Sequence, residues 1–262
     1  MCGRFTLTAA PREVAELLAL LDLEDFPPRY NIAPTQPVLI ALGGTESRPD
    51  ANRPGREARL VRWGFIPSWV KELKGFPLLH NARAETAAEK NAFKAAMKYR
   101  RCLIPASGFY EWRRDAKGKP AQAYFLKPRS GRPIAFAGVM ETWHSPDGSE
   151  IDTAAILTTA ANDTIRPIHD RMPVVIPEGG FEMWLNCRDF DPADVAGLMG
   201  RANEDVFEAI AVSDRVNKVA NVTPDVQAPI ALAAVRHPDD KKSNAAPGRD
   251  AEPACSGSPP RR

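Results

Sequence analysis

The sequence predicts an α+β fold: a curved, mostly antiparallel, barrel-like β-sheet core flanked by a few helices. Three observations lead there. Short runs rich in β-branched and aromatic residues recur along the chain. Only a few stretches carry helical spacing. Finally, 25 Pro and 17 Gly among 262 residues place many turns between elements, which argues against an all-helical bundle. With 44% hydrophobic and 26% charged residues, the composition is globular and the chain can bury one large core. No apolar run approaches the ~18 residues of a membrane span. The opening MCGRFTLTAAPRE lacks the apolar stretch of a secretory signal.

Each element follows in order. Arg4 to Leu7 reads as a short strand. Pro11 suits a first helical turn, and Val14, Leu17, Leu18 and Leu21 recur at helical spacing, predicting a helix over 10–23. Strands are expected at 38–42 and 59–65. Between them, 43–57 (GGTESRPDANRPGRE) is poor in apolar residues and is expected as a flexible insertion. A second helix is expected over 84–99, with Ala88, Ala92, Ala96 and Tyr99 along one face. Strand-like runs follow at 102–105, 109–112, 121–126, 134–143, 153–159, 173–176 and 206–212, with helices at 181–186 and 192–199. One domain over 1–235 is expected, then a disordered tail, 236–262, rich in Pro, Ser, Gly and charge.

Charge is unevenly distributed. Residues 1–132 carry 23 Lys+Arg against 13 Asp+Glu, whereas 133–262 carry 12 against 20. A basic first half suits a polyanionic partner, although a solvated surface of mixed sign would read the same way. Cys2, Cys102, Cys187 and Cys255 form no CxxC pair, and His80, His144, His169 and His237 form no HExxH or HxxxH. No metal, no other cofactor and no disulfide framework are expected, and a reducing cytoplasmic setting fits.

Cys2 carries the most chemistry. Removal of Met1 ahead of a small side chain would leave Cys2 with its α-amine and thiol two carbons apart. The α-amine has a reference pKa near ~7.8 against ~10.4 for lysine, a gap of about 3.5 kcal/mol in availability of the free base. An aldehyde would condense with that amine to a Schiff base, and the thiol would close on the imine carbon to a thiazolidine, an intramolecular and so entropically favoured step. An N-terminal nucleophile amidohydrolase, such as a glutamine amidotransferase, also begins Cys-Gly, with the thiol attacking an amide and the amine acting as base. The first residues alone leave both open.

Other polar residues stand in apolar surroundings. Glu111 lies in GFYEWRR, where aromatic neighbours favour a raised pKa and acid/base use; pairing with Arg113 or Arg114 is the plainer reading. His169, in IRPIHDRMPVVI, can exchange protons at cellular pH or simply be a hydrogen-bonded core histidine. Asn81 and Arg83 in LLHNARAET would project together from an extended segment, suiting a sugar hydroxyl and a phosphate, or they would serve helix entry. Trp63, Trp69, Trp112 and Trp143, interleaved with arginines, would offer one or two stacking faces for unpaired bases, the rest being core.

Together, MCGRF, RYNIAPTQ, WGFIPSW, NARAET, RCLIPASGFYEW, AGVMETW, ILTTAAN and IHDRMPVVI occur in that order, and the chain resembles the SRAP (SOS response-associated peptidase) family over roughly 1–235. The resemblance implies a protein that handles abasic sites in single-stranded DNA during the DNA damage response. Cys2, freed of Met1, would form a thiazolidine crosslink with the ring-opened sugar. Asn81 would hold the sugar, Glu111 would shuttle protons for imine formation and reversal, and His169 would protonate the ring oxygen. Arg4, Arg83 and Arg171 would neutralise phosphates, and Pro34, Trp69 and Trp112 would sit beside flanking bases. Peptidase-like autoprocessing that exposes Cys2, lyase-like reversal, a cytoplasmic, nucleoid-associated location and a monomeric state also follow as expectations.

Overall fold

The computed structural model describes residues 2–21, 23–43 and 56–231. The insertion expected at 43–57 falls largely outside the described residues, as does the tail expected at 236–262. Residues Met1–Ile230 form one compact unit.

The core is the mostly antiparallel β structure with few helices that the sequence predicts, divided between two sheets. The first joins β1 (Phe5–Leu7), β2 (Arg29–Ile32), β7 (Gly108–Arg114), β8 (Pro120–Pro128) and β13 (Phe207–Val212) in the order β13-β8-β7-β1-β2. In the second, β3 (Pro37–Leu42), β4 (Glu57–Trp63), β10 (Glu150–Ala160), β9 (Ile134–His144) and β6 (Arg101–Ala106) pair successively, and β6 returns to β3 to close a ring. β5 (Asn81–Arg83) and β11 (Arg171–Pro173) add to β10, and β12 (Val175–Ile176) to β9. All pairings are antiparallel except those of β10 with β4 and β5. β9 and β10 are buried over most of their length, which is why they read as near-continuous apolar runs.

Aromatic rings bridge the sheets. Phe5 meets Trp63 edge-on at 5.1 Å and Phe136 at 6.1 Å, while Phe109 meets Phe136 at 6.1 Å and Phe207 at 5.4 Å. Gly108 turns the chain from β6 into β7 at φ +148°, where an added Cβ would lie 2.5 Å from the Phe125 ring and 2.6 Å from the Leu126 carbonyl oxygen. That corner sets the direction of β7.

The helices are shorter than their patterns suggest. The first, α1, spans Pro11–Leu18, with Glu13 accepting the Ala10 N–H at 2.8 Å. Ala19 then turns left-handed (φ 50°) and the Leu20 N–H reaches the Ala15 carbonyl at 2.9 Å, so Leu20 tucks into the core and the helix cannot continue to 23. The expected 84–99 helix is two, α2 (Ala84–Ala87) and α3 (Lys94–Tyr99), because the intervening turns sink Phe93 against Phe65 at 5.2 Å. Residues 181–185 form α4, whereas 192–199 holds turns and a single 3-10 turn, Ala196–Met199.

Candidate active site

Cys2 and Gly3 lead into β1. The Tyr110 N–H donates to the Arg4 carbonyl at 2.9 Å, and that same carbonyl lies 3.8 Å from the Cys2 Sγ. Cys2 therefore sits beside the Tyr110–Glu111 stretch of β7, fully buried. Burial pushes the Cys2 thiol well up, and the negative charge of Glu111 pushes it further, so sulfur carries its proton at neutral pH.

Glu111 is only 2% exposed. Burial pushes its carboxyl up to about 7, with the positive amino terminus opposing and Asp170 adding to the rise. A carboxyl titrating there can both donate and accept protons.

Asn81 begins β5, in parallel register with β10 at Ile156. Its Nδ2 donates to the Cys2 carbonyl oxygen at 2.8 Å. Its Oδ1 is buried with no hydrogen-bond partner among the described residues, leaving an acceptor beside Cys2.

His169 stands just before β11. Its Nδ1 accepts the Arg171 N–H at 3.0 Å, while an Asp170 carboxylate oxygen lies 3.0 Å from the same nitrogen. Burial holds the ring below its ordinary pKa, ahead of the positive amino terminus. The lowered pKa favours a neutral ring, and the Arg171 N–H bond favours Nδ1 as acceptor with the hydrogen on Nε2, while the Asp170 oxygen beside Nδ1 pulls the other way.

The three arginines differ. Arg4 is inward: its Nη1 donates to Asn31 Oδ1 at 2.8 Å and to the Val216 carbonyl at 2.7 Å, and its guanidinium stands 5.9 Å from the Trp112 ring centroid. Arg171 forms a two-pronged pair with Glu85, at 2.6 and 2.8 Å, and donates to the Thr158 carbonyl. Arg83, paired across from Thr158, is exposed.

Of the residues expected beside bases, Trp69 is 60% exposed and meets Phe76 edge-on at 6.1 Å. Trp112 is half-buried, its Nε1 donating to Asn217 Oδ1 at 2.7 Å. Pro34 begins a turn whose next residue, Thr35, has φ 77°, a conformation β-branched residues rarely adopt. The Thr35 N–H bonds the Trp63 carbonyl at 2.6 Å and holds the turn.

Thus Cys2, Asn81 and Glu111 meet, and the His169–Asp170–Arg171 stretch couples to them electrostatically through Asp170. Sequence reasoning missed Asn31, Glu85 and Asp170, all polar residues whose partners lie far along the chain or whose charge acts through space. Each nonetheless lies in one of the ordered motifs, Asn31 in RYNIAPTQ, Glu85 in NARAET and Asp170 in IHDRMPVVI. Among the described residues no three His, Cys, Asp or Glu side chains are grouped to hold a metal ion, and no helix is long and apolar enough to cross a membrane.

A family model described as SOS response associated peptidase (SRAP) matches residues 1–219. Abasic site processing protein YoqW of Bacillus subtilis (strain 168) is 38% identical over 231 residues, covering 86% of this chain and 98% of that protein. Abasic site processing protein HMCES of Xenopus tropicalis is 28% identical over 275 residues, covering 91% of this chain and 81% of that one. Among solved structures, a Bacteroides thetaiotaomicron protein superposes with a TM-score of 0.74 at 23% identity, covering 88% of this chain and all 100% of that one, a likeness of fold.

Proposed function

Because the chain belongs to the SOS response associated peptidase (SRAP) family, we propose that it processes abasic sites in DNA by forming a covalent thiazolidine crosslink through Cys2. The observation that carries this reading is that Cys2 and Glu111 are both buried and act on each other electrostatically, with the carboxyl pushed up to about 7. An aminothiol needs an aldehyde, and a ring-opened abasic sugar supplies one.

The chemistry balances as follows. As the sugar C1′–O4′ bond breaks, the C1′ hydroxyl gives its proton to the Glu111 carboxylate, and O4′, held by a hydrogen bond from His169 Nε2–H, takes a proton from solvent. The neutral Cys2 amine, exposed by removal of Met1, adds to C1′, and a proton passes from the new ammonium to the alkoxide, making a hydroxyl. Glu111 returns a proton to the resulting hydroxyl, which leaves as water and yields an iminium. The Cys2 Sγ then attacks C1′, its proton passing to Glu111, and the ring closes. Glu111 ends with one proton more than it began and releases it to solvent, replacing the one O4′ took, so the same group serves reversal. The free Asn81 Oδ1 offers an acceptor to a sugar hydroxyl.

Single-stranded DNA suits the reading, since a buried Cys2 reaches only a nucleotide that has left the stack. Arg83 and Arg171 face the phosphates, and Pro34, Trp69 and Trp112 flank the bases. The one-domain organisation over 1–235, the monomer, the cytoplasmic setting and peptidase-like exposure of Cys2 belong to the same proposal.

One gel tests it: abasic and intact single-stranded oligonucleotides with the wild type and Cys2→Ala. A heat-stable adduct is expected only with the abasic strand and the wild type. Undiminished adduct in Cys2→Ala overturns the role of Cys2. Salt-sensitive binding blind to the lesion indicates a simple binder, and Cys2-dependent ammonia release from glutamine indicates an amidohydrolase.

A further inference from the structure

We propose that residues Asp214–Gln227 act as a strap that positions Cys2 against Glu111, and that Asn31 is the positioning residue that fastens it. The inference rests on the crosslinking reading above and assigns the alignment of its reacting groups to the far end of the chain.

The sheet alone holds the amino-terminal turn weakly. β1 is three residues long, pairs with β7 at Phe5↔Phe109 and Thr6↔Gly108 with one further bond from the Tyr110 N–H to the Arg4 carbonyl, and pairs with β2 across an irregular register. A chain end tied so briefly frays. Two 3-10 turns, Asp214–Asn217 and Pro224–Gln227, supply what is missing. Asn31, on β2 and 3% exposed, accepts from Arg4 at 2.8 Å and gives its amide hydrogens to the carbonyls of Asn221, Lys218 and Val216 at 2.9, 3.1 and 3.3 Å. Arg4 itself donates to the Val216 carbonyl at 2.7 Å.

The strap grips the neighbouring strands as well. Asn217 accepts from Trp112, the residue after Glu111, at 2.7 Å, and Gln227 donates to Thr6 at 3.2 Å. Val216 and Val226 are buried with Tyr110, the residue before Glu111. One segment thus holds Arg4, two residues from Cys2, and both neighbours of Glu111. Buried donors of Arg4 and Asn31 would lose their acceptors if the strap lifted, so strap and amino-terminal turn are held as a unit. Reaction rates depend steeply on such alignment, since a misplacement of ~1 Å can cost ~100-fold.

The test uses the full chain in single-turnover crosslinking, protein in excess over an abasic single-stranded oligonucleotide. In Asn31→Ala the rate constant at saturation should fall at least ~10-fold, with complete adduct at the end point and a half-saturating concentration within about twofold of wild type. The Asn221 side chain bonds within the strap, its Nδ2 donating to the Arg215 carbonyl at 2.7 Å, while its backbone carbonyl, which accepts from Asn31, is kept on substitution, so Asn221→Ala loosens the strap without touching β1 or β7. It should slow the same rate constant about threefold, and it stands in if Asn31→Ala does not fold. Unchanged rate constants overturn the proposal, and so does a reduced amplitude at wild-type rate, which marks folding support alone. A wild type that forms no adduct fells the crosslinking reading itself.

Discussion

The Asn81 side chain grips the backbone of Cys2, its Nδ2 donating to the Cys2 carbonyl oxygen at 2.8 Å. The bond fixes the residue without engaging the thiol or the α-amine. It also ties β5, at the ring of the second sheet, to the chain entering the first. Cys2 is thereby held from both sheets, by Asn81 on one side and by the Arg4–Tyr110 ladder on the other.

Replacing Asn81 separates holding from chemistry. Asn81→Ala removes one hydrogen bond, costing ~1 kcal/mol of stability, and should slow crosslinking about 10-fold. Asn81→Asp should be slower still, because a carboxylate oxygen would face the Cys2 carbonyl oxygen. Single-turnover rates of the two variants check this order; an Asp variant as fast as wild type would mean that the contact has no role in alignment.

Glu111 makes stability depend on pH in a predictable sense. Its folded pKa of about 7 lies above its ordinary 4.5, so between those values the folded protein holds the extra proton. Stability contributed by this group is intact below about 4.5 and is lost as pH rises towards and past about 7. At pH 8, Glu111→Gln should be more stable than wild type by about 3 kcal/mol, and the difference should vanish near pH 4. Thermal melts across that range test the sign directly, and the stabilised variant should crosslink slowly.

His169 runs the other way. Its folded pKa lies below the ordinary value, so its contribution is present above about 6.5 and is lost as pH falls and the unfolded chain binds the proton. Nitrogen NMR of the imidazole at pH 7 should show a neutral ring with hydrogen on Nε2 and Nδ1 as acceptor. A neutral ring with its hydrogen on Nδ1 and Nε2 bare would remove the donor role proposed for ring opening.

How much of this was legible in the sequence depended on range. β9 and β10 were plain because burial over most of their length gives near-continuous apolar runs. The helix over 84–99 was misjudged because alanine spacing gave no hint that Phe93 would seek Phe65. Cys2, Asn81 and Glu111 each stood out for a local reason, an aminothiol, a polar pair and a carboxyl among aromatics. Asn31 did not, since what makes it special is Val216, 185 residues away. Glu85 drew no reading of its own in the sequence, since its partner Arg171 comes to it only when β11 is placed.

That last pair yields a prediction about DNA binding. Glu85 holds Arg171 through both guanidinium nitrogens, and this hydrogen bonding, more than charge alone, keeps its carboxyl below the usual range. The pair is half open to solvent on the Glu85 side, so its loss in Glu85→Gln should cost no more than ~1 kcal/mol. The same change frees the Arg171 charge for a phosphate. Affinity for an intact single strand should rise, and log affinity against log salt should steepen by ~0.7. Arg83→Ala, which removes an already exposed cation beside the same strand, should flatten that slope by ~0.7. Anisotropy titrations at several salt concentrations measure both. Opposite changes of slope place the two arginines on the phosphate track, whereas a flat response to Glu85→Gln would mean that Arg171, still bonded to the Thr158 carbonyl, serves only to hold β11 against β10.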